Sequence, residues 1–174
     1  MRRAAQTGFG ARALRQPEHC RLVSEHFADP VAALGSAAGL LAAGGVVVVA
    51  VPNNGSAPAR SAGLSWEHLD IPRHINFFDA ASLRTAAQRA GLAQVAVFHE
   101  GFCRYFSNEY IETEQRIHDH VVRADPGAAS HSRRNSQWRS WGLLLRTLFG
   151  TDNLRYDSVG MVFRAAAPAA PAAH

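Results

Sequence analysis

Between Ser56 and Phe78 the chain gathers Trp66, Glu67, His68, Asp70, Arg73, His74 and Phe77 into a stretch that reads as loop. Such a concentration of rings, carboxylates and guanidinium is more than a connector needs, because binding and catalytic groups collect on loops held by a rigid scaffold. The loop is therefore the first place to expect function. Glu67, His68, Asp70 and His74 are metal-ligand types, but their spacing fits neither HExxH nor another compact ligand pattern, and no metal is expected from them. A second group, His131, Arg133, Arg134 and Arg139 with Trp138 and Trp141 interleaved, has the makings of a phosphate-binding patch. The competing reading favours an Arg-rich loop running into a helix whose tryptophans pack inward, and nucleic acid is not the expected partner.

Several elements must position these residues. Asp29-Pro30 is a helix start, with the carboxylate accepting orphan N–H groups and proline losing no bond in the first turn. A helix from about Pro30 to Ala43 places Val31, Leu34, Ala38 and Leu41 on one face, and Gly44-Gly45 stops it. Val46 to Val51 is a β-branched run without polar alternation, as in a parallel-sheet strand covered on both faces. Pro52-Asn53-Asn54-Gly55 ends it. Asp79 can cap a helix to about Ala90, with Gly91 as its stop, and Val95 to His99 is a further strand. Ser107 or Asn108 starts a helix to about Val122 that carries Glu109, Glu112 and Glu114, and Asp125-Pro126-Gly127 breaks it. A helix from about Gln137 to Phe149 has Trp138, Trp141, Leu144, Leu145 and Leu148 on an expected core stripe. A last strand spans about Arg155 to Arg164. Alternating helices and strands predict an α/β fold with one sheet.

At 174 residues with 47% hydrophobic and 18% charged, the chain suits one domain with a real core, and excludes both a bare peptide and a large multidomain enzyme. All 18 basic side chains are Arg, and the excess over 14 acids is only +4. Cys20 and Cys103 lack metal or disulfide-framework spacing, and no export signal is evident, so a cytoplasmic setting is expected. Val31 to Val51 is free of charge over a bilayer-spanning length, but its Ala and Gly content and Gly44-Gly45 argue for helix, turn and strand, not a membrane span. The expected organisation is a poorly structured segment 1–22, a domain over 23–164 with a helical insertion at 107–149, and a disordered Ala/Pro tail over 165–174.

The order of signals from Val23 to about Phe102 is specific. Glu25-His26, Asp29-Pro30, Gly44-Gly45, Val51-Pro52-Asn53, Trp66, Asp70, Pro72-Arg73-His74, Phe78, Leu83 and Ala90-Gly91-Leu92 follow one another in a pattern that resembles the second half of class I S-adenosylmethionine-dependent methyltransferases. The resemblance implies an incomplete Rossmann-like sheet made of strands 4-5-7-6 of the family's 3-2-1-4-5-7-6 order, the last strand antiparallel. It implies S-adenosylmethionine as cofactor, bound where strand order reverses, with Glu25 and His26 facing it, and a small-molecule acceptor lined by Asn53, Trp66 and His74. Methyl transfer from a sulfonium needs alignment and exclusion of water more than covalent help. A hydroxyl or amine acceptor would also need a base, and histidine is the side chain whose ordinary pKa suits that task near neutrality. His26 and His74 are the candidates. Their structural alternatives are capping of the next helix by His26 and a hydrogen bond from His74 to Asp70. Glu25-His26 also resembles part of a metal-binding Glu-x-x-Glu-His motif of ubiquinone-biosynthesis O-methyltransferases, but Leu22 stands at the first acid's position and no metal is expected.

The family's Gly-rich cofactor loop has no counterpart, since Gly8-Phe9-Gly10 follows no apolar strand and lies only about 15 residues before Glu25. The expectation is thus a truncated methyltransferase-like domain whose activity as an isolated chain is open. The family's strand four pairs with its strand one, so an exposed edge would favour self-association or a complementary chain. The alternative is a noncatalytic protein-binding or scaffold module.

Overall fold

The computed structural model describes residues 20–22, 24–102 and 106–166. The expected N-terminal segment up to residue 19 and the tail from 167 onward lie outside the described residues. Among those described, four strands form one sheet: β1 (Cys20–Leu22), β2 (Val47–Pro52), β3 (Leu92–Glu100) and β4 (Ser158–Ala165), in the order β1-β2-β4-β3. β1 runs parallel to β2, and β4 lies antiparallel between β2 and β3. This is the expected 4-5-7-6 arrangement of an incomplete Rossmann-like methyltransferase sheet, with the last strand reversed.

Helix α1 (Pro30–Leu40) starts where Asp29 accepts from the Ala32 amide, and a following turn uses Gly44 at φ 79°. Helix α3 (Ala80–Arg89) opens with a reciprocal cap, the Asp79 carboxylate accepting from Ser82 N–H while Ser82 Oγ accepts from Asp79 N–H. These helices and the sheet enclose the main core. Leu34, Leu83, Val47, Val49, Met161 and Phe163 are all fully buried there. Successive residues of β2 alternate between buried and half-buried, so one face of the strand is sealed and the other partly open, not both sealed as the unbroken apolar run implies.

The remaining helices are α2 (Ala57–Ala62), α4 (Asn108–Ala124), α5 (Gln137–Thr147) and the one-turn α6 (Asp152–Arg155). A smaller core joins Ala59, Ala62, Trp66 and Tyr110, with Leu143 against it. The stripe expected to bury α5 does not: Trp138 is 88% exposed, Trp141 60% and Leu145 69%, and Leu148 just beyond the helix is exposed as well. Ser140 and Thr147 occupy the buried side of α5 instead. Arg139 also lies on that side and donates to the Ser61 carbonyl and hydroxyl, both at 2.9 Å, which docks α5 through polar bonds, so the reading in which the tryptophans pack inward does not hold. No helix among the described residues is long and apolar enough to cross a membrane.

Candidate functional site

Just past β1 the chain makes a single 3-10 turn over Ser24–His26. The segment 68–76 wraps onto it. Ile75 and Asn76 donate their backbone N–H groups to the Glu25 carbonyl at 3.0 and 3.2 Å, and Asn76 Nδ2 donates to the Phe27 carbonyl at 2.6 Å. Arg73 and Asp70 form an ion pair at 2.6 Å across this loop, with Asp70 at φ 40°. The long stretch of chain between the two segments is thereby bridged, and His74 is carried to the Glu25-His26 pair.

Glu25, His26 and His74 each present one ligand-type atom, and the three atoms lie within 4.8 Å of one another. The Glu25 side chain is buried, and its Oε2 has no hydrogen-bond partner among the described residues. The two imidazoles sit 4.8 Å apart between centroids and are tilted by 58°. His26 Nδ1 contacts the Arg73 carbonyl at 2.9 Å, and His74 Nδ1 contacts the His68 carbonyl at 2.7 Å. A carbonyl oxygen can only accept, so both Nδ1 atoms carry the proton. In the neutral rings, each Nε2 then holds a free lone pair, able to take a proton or bind a cation. Asp29, not His26, caps α1. His74 does bond to Asp70, its backbone N–H donating to the Asp70 carbonyl at 3.1 Å, while its ring bonds to the His68 carbonyl.

The other expected site residues make their contacts elsewhere. Asn53 is fully buried, and its Nδ2 donates to the carbonyls of Asn153 at 2.6 Å and Tyr156 at 3.0 Å, while its Oδ1 accepts from Gly55 N–H at 3.1 Å. Its amide is occupied by the chain itself, joining the end of β2 to the approach to β4. Trp66 is 1% exposed and meets the His68 ring edge-on at 5.4 Å. It stands one residue contact behind His74, supporting the loop from within. His68 faces the buried Asp157, Nε2 to Oδ2 3.5 Å. Glu67, His68 and Asp70 do not assemble with His74 into a ligand set among the described residues. Of the basic patch, Arg134 is paired with Asp119 at 3.1 Å, and Arg139 donates to the Ser61 and Arg134 carbonyls.

One polar centre escapes the sequence reading. Glu114, on α4, is 3% exposed, and Asn135 Nδ2 donates to its Oε2 at 2.8 Å. Burial pushes its carboxyl up to about 7, against the opposing pull of its hydrogen bonds, including the one from Asn135. Burial likewise raises the Tyr110 hydroxyl well above the usual phenol range, with the Glu114 charge adding to it. The available signal was periodicity: Glu114 follows Tyr110 by four and Ile111 by three, the spacing of a helix's buried stripe.

Similarity to known proteins enters on this geometry. A protein of Bacillus halodurans C-125 assigned as a methyltransferase shares 18% identity with a TM-score of 0.44, over 86% of this chain and 68% of that one. The [4+2]-cyclase SpnF matches at 11% identity and 0.43, over 86% of this chain and 50% of its own. Phosphoethanolamine N-methyltransferase 2 of Haemonchus contortus, solved with phosphomonomethylethanolamine and S-adenosylhomocysteine, matches at 12% and 0.43, over 86% and 33%. The chain thus spans half or less of the last two. No curated protein matches it. The family model for a methyltransferase domain matches residues 19–97, the stretch that holds Glu25, His26 and His74 together with β1, β2 and most of β3. Through these residues the chain is similar to the methyltransferase-domain family.

Proposed function

We propose that the protein serves S-adenosylmethionine-dependent methyl transfer to a small-molecule acceptor, with the site centred on Glu25, His26 and His74. The observation that carries this reading is the convergence of those three side chains at the exit of β1, within the stretch matched by the methyltransferase domain. When bound, S-adenosylmethionine supplies an electrophilic methyl group on a positively charged sulfur. A buried carboxylate without a partner suits a neighbouring positive charge, and Glu25 offers one. The described residues contain no Gly-rich cradle, so what they fit is the sulfonium side of the donor and the acceptor side of the pocket.

The chain's own part in the chemistry is proton handling and orientation. With Nδ1 committed to a backbone carbonyl, either imidazole can take the acceptor's O–H or N–H proton at Nε2 as the nucleophile forms its bond. His74 is half-buried and His26 exposed, which leaves His26 the more open to an entering acceptor. Trp66 supports this loop from behind, and Asn53 acts on the acceptor only through the loop ends it fastens.

Calorimetric titration of the full chain with S-adenosylmethionine tests the proposal. Saturable binding that is weakened at least tenfold in Glu25→Ala supports it. A folded protein that gives no heat at millimolar ligand overturns it, in favour of a noncatalytic protein-binding module built on the same sheet.

A further inference from the structure

We infer that the exposed side of α5, together with the arginines beside it, docks onto the surface of an anionic lipid membrane. The inference uses none of the groups that the methyl-transfer reading employs and stands apart from it.

The apolar half of this surface is Trp138, Trp141, Leu145, Leu148 and Phe149, all exposed. Their spacing puts them in one stripe, about 100° wide around the helix axis. Leu148, the first residue past the helix, keeps helical backbone angles, φ −55° and ψ −36°, so the stripe continues beyond Thr147. Single exposed apolar side chains are ordinary, but a contiguous set of large ones marks an interaction site. Tryptophan and phenylalanine on one side with arginine at the flank is the make-up of a helix that lies in a membrane interface, where amphipathic rings sit at headgroup depth. The 11 residues of α5 are too few to cross a bilayer, so the helix would lie along its plane.

Charge is the second, independent observation, and it chooses the occupant. From Arg133 to Arg155 the chain carries five arginines against a single acid, Asp152. Three of the five are taken up within the fold: Arg134 pairs with Asp119, Arg139 donates to the Ser61 carbonyl, and Arg155 donates to the carbonyls of Leu148 and Gly150. Arg133 and Arg146 are different. With Arg60 from α2 they line one open cavity of about 290 Å³ beside Leu143 and Leu154, and no carboxylate lines it. None of these three arginines has an ion pair or a side-chain hydrogen bond among the described residues. Guanidinium groups gathered without a carboxylate suit the oxygens of a phosphate, which they meet in bidentate fashion. The sequence groups Arg133 with Arg134 and Arg139, whereas the fold groups it with Arg60 and Arg146. Arg146 belongs to both halves of the surface, following Leu145 of the stripe and lining the cavity. A second copy of the chain offering the same side would set arginine against arginine. A phospholipid surface presents phosphate above hydrocarbon and matches both halves at once.

Co-sedimentation of the full chain with vesicles tests the inference, one set made of phosphatidylcholine alone and the other of phosphatidylcholine and phosphatidylglycerol in equal parts. The protein should pellet with the second set and not with the first, and added salt should weaken the binding. Tryptophan emission should shift to the blue on binding, a signal that belongs to α5 because Trp66, the remaining tryptophan, is already buried. Arg133→Ala combined with Arg146→Ala should weaken binding on the order of fivefold per arginine. Trp138→Ser combined with Phe149→Ser should weaken it by at least about tenfold. Arg89→Ala, an exposed arginine on α3, should leave it unchanged. All the substituted side chains are exposed, so each variant should keep the fold, which circular dichroism checks. No pelleting with the phosphatidylglycerol vesicles, or equal pelleting with both sets, overturns the inference. Binding that the arginine substitutions abolish and the ring substitutions leave intact is adsorption of charge alone, and overturns it too. So does a dimer in sedimentation equilibrium that the ring substitutions dissolve, since a second copy then occupies the stripe.

Discussion

Single side chains decide two of the expected outcomes. Glu114 has its folded-state carboxyl raised to about 7, chiefly by burial, whereas the unfolded chain titrates near the ordinary value of 4.5. Between those values the folded form holds a proton that the unfolded form has lost, so stability falls as pH rises through this window and levels off above it. The size is on the order of 3 kcal/mol. Glu114→Gln keeps the Asn135 partner and removes the charge, and denaturant titrations from pH 4 to 8 should show a flatter profile and a gain at pH 8. Asn53 gives a second test. Asn53→Ala would leave the Asn153 and Tyr156 carbonyls without their donor, at a cost of about 2–3 kcal/mol. Thermal melts should register that loss whether or not an acceptor is present. Of the five expected site residues, sequence order singled out Glu25, His26 and His74, which the structure brings within 4.8 Å of one another, because each belongs to a recognisable string. It could not reveal that Asn53 is consumed by backbone partners a hundred residues away, since no local pattern encodes them.

At the level of elements, caps were legible and faces were not always so. Asp29, Asp79 and Ser107 each start a helix as their chemistry dictates, because an N-cap is a local bond between a side chain and an amide two or three residues on. Asp79→Ala removes both the carboxylate and its exchange with Ser82, and should cost about 1 kcal/mol in chemical denaturation. The lowered pKa of Asp79, set first by the Ser82 amide, makes that contribution fade only in acid. α5 failed the same kind of reading because apolar periodicity names a face without naming what it packs on, and here Arg139, Ser140 and Thr147 take the inner side. Trp138→Ser and Phe149→Ser should therefore shift stability by no more than about 0.5 kcal/mol, since both rings are already in water. Leu83→Ala, from the sealed core beneath the sheet, should cost about 2–5 kcal/mol by the same melts.

Across the whole molecule, alternating helix and strand signals made the α/β class readable, and the strand order followed from the family resemblance. The fit between strands was less so. Gly160 on β4 pairs with Phe98 on β3, and a side chain at Gly160 would run into the Phe98 ring. Gly160→Ala should destabilise the protein by about 1–3 kcal/mol through overpacking, and Phe98→Ala in the same chain should restore part of it. β4 touches both β2 and β3, which do not touch each other. During synthesis, every other described element is out before the residues of β4 that stitch those two strands together emerge. The nascent polypeptide must carry its valine-rich strand unpaired on that side until β4 emerges, so its passage to the native state depends on long-range closure and leaves an interval in which a chaperone has something to hold.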